Sequence, residues 1–238
     1  MSFYKKYFGE GWAKVLGPFL ESEEYKIIGE ALIPIQKKVT PELSQIYRCF
    51  LECPWERLHT VILNLGPYSQ LTKDGIRVAD GLAFSARNSE LAPVQLETVH
   101  QVLDETVYAG HYTPVPHWNY EQSLAGYDLK SWANQGILLL NCSLTTLIGK
   151  EHEHLDLWHP FIEYILSMIN SQKDSIGFII IGSPKIDINK LLTNNTFYKC
   201  TCEPIMAAKY MNRQWFHRDC FKSIHDFHRK TNNIEIKW

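Results

Sequence analysis

Val61-Ile62-Leu63-Asn64-Leu65-Gly66-Pro67-Tyr68-Ser69 is the stretch that decides the fold. A β-branched apolar run breaks abruptly into Gly-Pro-Tyr, the pattern of a buried strand that ends in a loop. Gly136-Ile137-Leu138-Leu139-Leu140-Asn141 and Phe178-Ile179-Ile180-Ile181-Gly182-Ser183 repeat the theme, each closing on small or polar residues. In open α/β sheets, ligands bind beyond the carboxyl ends of the strands. Three such ends predict one shared pocket.

The segments between these runs read as helices. Trp12, Val15, Leu16, Phe19 and Leu20 recur at i, i+3, i+4 spacing within 3–33, and Pro18 either opens a helix there or breaks one. Thr40-Pro41-Glu42-Leu43 reads as an N-cap followed by Pro at the first helical position. Further helices are predicted over 93–108, 158–171 and 186–192, and strands over 59–64, 136–141, 177–181 and 196–202. Residues 69–80 read as a long polar loop, and 109–127 as an irregular excursion. Strands alternating with helices predict an α/β fold of three layers, α/β/α, around a central, mainly parallel four-stranded sheet. One domain over 1–238 is the expected organisation.

The 238 residues are 45% hydrophobic and 13% aromatic, enough for a real core, which argues against disorder. No apolar run reaches the ~20 residues needed to span a bilayer. Met1–Lys6 lacks the apolar region of a signal peptide, so a cytosolic, nuclear or virion compartment and no membrane partner are expected. The formal charge of -2 argues against a generally basic coat. Lys209, Arg213, Arg218, Lys222, Arg229 and Lys230 nevertheless concentrate cations among Tyr210, Trp215 and Phe216. That mixture suits either a nucleic-acid contact or a solvated helix face. The six cysteines form no C-x-x-C pair, and reduced thiols are expected. His152, His154 and His159, with Glu153 and Asp156, read as a solvated loop before a helix. No metal and no cofactor are expected.

Asp128-Leu129-x-x-Trp132-Ala133-x-Gln135-Gly136 leads into the strand ending at Asn141, and Gly81-Leu82-Ala83-Phe84-Ser85 reads as a further short strand. With Trp158-x-x-Phe161, Gly182-Ser183, Trp12 and Trp238, these segments resemble family 1 uracil-DNA glycosylase over nearly the whole chain. The resemblance implies a base pocket of Leu65, Tyr68, Phe84 and Asn141. In it Phe84 stacks on the base, Asn141 pairs with its edge and Tyr68 stands where a thymine methyl is refused. It further implies DNA contacts at Gly182, Ser183, Pro204, Met206, Ala207, Tyr210 and Arg213.

In that family uracil leaves as an anion from a sugar that becomes cationic. An Asp positions water, and a neutral His donates to the developing oxyanion. Here the loop Gly-Gln-Asp-Pro-Tyr-His is replaced by Asn64-Leu65-Gly66-Pro67-Tyr68-Ser69, so Gly66 stands for the Asp. The loop His-Pro-Ser-Pro-Leu-Ser is replaced by Glu203-Pro204-Ile205-Met206-Ala207-Ala208, so Glu203 stands for the His and Ala207 for the Leu wedge. The implied function is a uracil-DNA glycosylase-fold protein with catalysis lost or strongly impaired. It would bind DNA, single strands before duplex, or a protein partner, as a monomer or within a hetero-complex. The alternative is an active glycosylase for uracil or a modified base with rebuilt chemistry, Asp74 or Asp80 supplying the carboxylate. A third reading is a purely structural use of the fold.

Overall fold

The computed structural model describes residues 2–90, 93–107, 127–194, 196–200 and 219–238. The chain begins with helices α1 (Ser2–Leu20) and α2 (Glu23–Leu32), a short strand β1 (Val39–Thr40) and α3 (Arg48–Glu52). Then come β2 (Thr60–Asn64), α4 (Val94–Thr106), α5 (Lys130–Asn134), β3 (Ile137–Asn141) and β4 (Thr146–Leu147). The remainder is α6 (Leu155–Gln172), β5 (Gly177–Ile181), α7 (Ile188–Leu191), β6 (Thr196–Cys200) and a last helix, α8 (Cys220–Thr231). The central sheet is parallel throughout, in the order β3-β2-β5-β6. β1 and β4 form a separate antiparallel pair.

Helices cover both faces of this sheet. α8 packs on β5 and β6 and meets α4, while α1 gathers α2, α3 and α6. Val61–Leu63, Ile137–Leu140 and Phe178–Ile181 are therefore wholly buried. A parallel sheet covered on both faces needs apolar side chains on both, which is why these runs are continuous and not alternating. Each such side chain stabilises the fold by roughly 1.5–3 kcal/mol. The strand order reverses between β2 and β5, because β3 joins one side of β2 and β5 the other. That reversal opens a crevice at the carboxyl end of β2.

Four local expectations are corrected. Gly81–Ser85 is a turn, not a strand: Ser85 N donates to Leu82 O (3.3 Å) and Phe84 has φ 64°. Thr40 is no helix cap. It pairs with Thr146 across the β1–β4 ribbon and its hydroxyl donates to Tyr68 O, so strand pairing overrides the cap pattern. In α1 the helical path breaks at Gly9, while Pro18 is accommodated near the end of the helix. The loop over 69–80 folds back on itself through Thr72 N to Ile76 O (2.7 Å) and Val78 N to Gln70 O (3.2 Å). Residues 109–126 of the excursion and 201–202 of the last predicted strand lie outside the described residues.

Beneath the amino-terminal end of the sheet runs a buried chain of hydrogen bonds. Gln135 O can only accept, so His59 donates to it from Nε2 (2.8 Å) and keeps Nδ1 as an acceptor. Thr60 then donates to His59 Nδ1 (2.8 Å) and accepts from His228 Nε2 (2.9 Å). Asn232 Nδ2, also held by Ser175 O, donates to His228 Nδ1 (2.8 Å). Every atom is satisfied only with both imidazoles neutral. Burial, helped by His59 and His225, holds His228 down at about 4, and burial alone holds His100 at about 4. Burial lowers His59 as well.

A histidine depressed in the fold takes up its proton in the unfolded chain first. Between its ordinary 6.5 and about 4 the unfolded state therefore binds more protons, and stability falls as pH falls. The expected slope is at most ~1.4 kcal/mol per pH unit for each such histidine, vanishing above the ordinary value. Urea titrations across that interval check it, and His228→Gln should remove one histidine's share of the slope.

Candidate functional site

At the carboxyl end of β2 lies a cavity of about 30 Å³, walled by Asn64, Gly66, Tyr68, Leu82, Phe84 and His152 among others. That is room for about two waters. Glu151, exposed, and Gln95, half-buried, complete the lining.

The Phe84 side is built on a buried ion cluster. Asp80 is fully buried and accepts from Leu82 N (3.1 Å), Arg87 N (3.1 Å) and Ser85 Oγ (2.6 Å). These three donors wrap the turn around its carboxylate. Arg48 Nη1 stands 3.0 Å from Asp80 Oδ2, an ion pair without hydrogen-bond alignment. Arg48 Nη2 makes a forked contact with both oxygens of Asp128 (2.7 and 2.8 Å). Ala83 N donates to Leu139 O and so ties the turn to β3. Tyr68 Oη donates to Phe84 O (3.0 Å). Burial, and the nearby Asp80 charge, push the Tyr68 phenol above its ordinary range, so it remains a neutral donor.

The opposite side rests on the loop after β3. Cys142 N donates to Asn64 O (2.7 Å) and Ser143 N to Leu65 O (3.0 Å), carrying the pairing of β2 and β3 past their ends. Trp158 Nε1 donates to Thr145 Oγ1 (2.7 Å), which leaves the Thr145 hydroxyl proton for His154 Nδ1 (2.9 Å). Thr146 Oγ1 accepts from Glu153 N and donates to Lys150 O. These bonds clamp the turn that presents His152, whose φ is 61°. A Cβ on Gly66 would stand only 3.0 Å from His152 Nδ1. That nitrogen is buried and has no hydrogen-bond partner among the described residues.

Of the residues expected at a base pocket, Tyr68 and Phe84 line the cavity, as does Gly66. Leu65 is buried outside the lining. Asn141 is also buried outside it: its Oδ1 accepts from Asn64 Nδ2 (3.0 Å), and Asn64 stands in front. Asn64 Nδ2 also holds Gly66 O (3.0 Å), fixing the start of the loop. Gly182 and Ser183 follow β5, on the same edge of the sheet. Asp74 is exposed in the folded loop after Tyr68, and Asp80 is spent on its own turn, so neither reaches the cavity. Glu203, Pro204, Met206, Ala207, Tyr210 and Arg213 lie outside the described residues.

Sequence reasoning missed Asn64 and His152. Asn64 could have been found, because it is the strand neighbour of Asn141 and immediately precedes the loop. His152 carried no such signal. Among the described residues no three His, Cys, Asp or Glu side chains are placed to hold a metal ion. No described helix is long and apolar enough to cross a membrane. Chemically, the cavity offers an aromatic face, a fixed phenol, a carboxamide and an imidazole, a set suited to a flat polar heterocycle.

No protein-family model matches the chain. It is similar to a uracil-DNA glycosylase of Alkaliphilus oremlandii, 30% identical over 237 residues, spanning 97% of this chain and 96% of the relative. A uracil-DNA glycosylase of Coxiella burnetii is 30% identical over 190 residues, 77% of this chain and 74% of the relative. In fold it is similar to the mimivirus uracil-DNA glycosylase, with TM-score 0.79 at 16% identity over 96% of this chain and 86% of that one. The enzyme from Nitratifractor salsuginis superposes with TM-score 0.60 at 16% identity, over 94% of this chain and 95% of that one.

Proposed function

The chain belongs to the uracil-DNA glycosylase family, and on that premise we propose that it binds single-stranded DNA and admits a nucleobase to the Phe84–Tyr68 cavity, with base excision strongly weakened. Gly66 carries the proposal. In the family's loop this position bears the carboxylate that positions water and steadies the cationic sugar. Glycine has no group for either task, Asp74 is exposed outside the cavity lining, and Asp80 is held by its own turn and Arg48. Glu203 occupies the sequence position of the family's oxyanion donor.

The magnitudes compound. A general base is worth typically ~10²–10⁴-fold. One oxyanion donor is worth about 10²–10³-fold. Binding is less affected, because Phe84 offers a stacking face and stacking tolerates any base. Asn64 and Asn141, joined amide to amide, supply the polar edge. The small Ala207 makes a poor wedge for opening duplex, which favours single strands. The whole chain is taken as one domain, intracellular, acting alone or beside a protein partner in replication or repair.

Two measurements test this. Uracil-containing single-stranded DNA should yield abasic sites at least ~10⁴-fold more slowly than with the bacterial relatives. Turnover at their rate overturns the proposal. Fluorescence anisotropy should show DNA binding that weakens as salt rises, since phosphate contacts release counterions. Absence of binding at low salt overturns the DNA-binding proposal.

A further inference from the structure

We propose that His152 supplies the proton acceptor that residue 66 lacks, so that whatever base excision the protein retains runs through this imidazole. The inference deepens the reading above and rests on it.

Four observations converge on the side chain. It lines the cavity shared with Phe84 and Tyr68. Its Nδ1 lies 3.0 Å from where a Cβ on Gly66 would be, so the ring stands directly beside the position that lacks a side chain. Nδ1 has been withdrawn from solvent without a hydrogen bond among the described residues. An unsatisfied buried polar atom is costly, and functional sites are where such costs recur. Finally, φ is 61° at a non-glycine residue whose backbone is held on both sides. His152 O accepts from Leu155 N, and the next residue donates to Thr146 Oγ1. Left-handed backbone persists where its surroundings impose it, and it clusters at active sites.

The step balances without a further reactant beyond water. A water oxygen bonds to C1′ of the sugar, the C1′–N bond breaks, and its electron pair leaves with the base as an anion. The water proton passes to the imidazole. Glu151 is the one carboxylate on the described lining, but it is exposed. A side chain at residue 66 would crowd this imidazole, its Cβ standing 3.0 Å from Nδ1, and glycine there leaves the ring its place.

The test is single-turnover excision from a uracil-containing single-stranded oligonucleotide, with DNA affinity measured in parallel. His152→Asn tolerates left-handed backbone and should lower the excision rate at least ~10-fold with affinity unchanged. His152→Gly should lose as much and recover part of it when free imidazole is added, which a structural role would not produce. Gly66→Asp combined with His152→Gly should restore the rate to the starting level or above. Asp74→Asn should leave it within about twofold, because Asp74 is exposed and does not line the cavity. The inference is overturned if His152→Asn excises as fast as the unaltered protein. It is overturned equally if the unaltered protein forms no abasic sites above those seen with His152→Gly, or if Glu151→Gln alone abolishes the rate. Loss of DNA binding by the unaltered protein would fell the broader reading instead. Binding without any His152 effect would fell only this one.

Discussion

Arg48→Met is expected to lower the unfolding free energy by roughly 3–5 kcal/mol, the cost of leaving a buried charge without its partner. Arg48 is 6% exposed and faces Asp80, which is fully buried, Asp128 and Glu52. Removing the guanidinium strands Asp80 in a medium that cannot solvate it. The Asp80 hydrogen bonds to Leu82, Ser85 and Arg87 would survive, but with an uncompensated charge at their centre. Urea unfolding gives the loss. The companion Asp80→Asn keeps the shape and removes the charge. In a double-mutant cycle the pair should cost clearly less than the sum of the singles, because the second change neutralises what the first exposed. Additive losses would mean that the two groups do not sense each other. Since the same turn carries Phe84, the Arg48→Met protein should also bind single-stranded DNA more weakly, by up to the ~1–3 kcal/mol of one base stacking on an aromatic ring.

The sheet was legible because its signal is local. Val61–Leu63, Leu138–Leu140 and Ile179–Ile181 are apolar on both faces, a pattern that only a doubly covered sheet supports, and each ends in residues that break strands. The place of the cavity followed from the first of those ends alone: residues after Val61–Leu63 line it, while Asn141, Gly182 and Ser183, at the other two ends, lie outside the lining. Its chemistry did not, because it is made by distant residues meeting. Asp80 looked like a loop acid free to act, but its fate is set by Arg48 and Ser85 and by backbone donors at 82 and 87. His152 looked like one charge-rich turn among several. Its meaning depends on a left-handed backbone and on the missing side chain at Gly66, 86 positions earlier. Thr40 had the composition of a helix cap, and a two-residue ribbon with Thr146 overrode it. For Thr40, a local capping preference worth about 1 kcal/mol gave way to tertiary contact.

Gly81→Ala should cost about 2–5 kcal/mol, and a second glycine makes the reason separable. Gly81 has φ 93°, and a Cβ there would press on the Gln45 carbonyl oxygen and stand 2.9 Å from Arg48 Cβ. Left-handed backbone costs a side-chain-bearing residue about 1–2 kcal/mol. Forcing a methyl into filled space adds roughly 1–3 kcal/mol. Gly75, in the folded loop after Tyr68, has φ 78° but nothing within 4 Å of its hypothetical Cβ. Gly75→Ala therefore carries the backbone cost alone, and the difference between the two variants isolates the crowding. A Gly81→Ala loss no larger than that of Gly75→Ala would show that the turn yields cheaply, in which case it cannot be the rigid wall that holds Phe84 to a base. A larger loss, accompanied by weaker DNA binding in the fraction that stays folded, ties the stacking face to the buried cluster behind it.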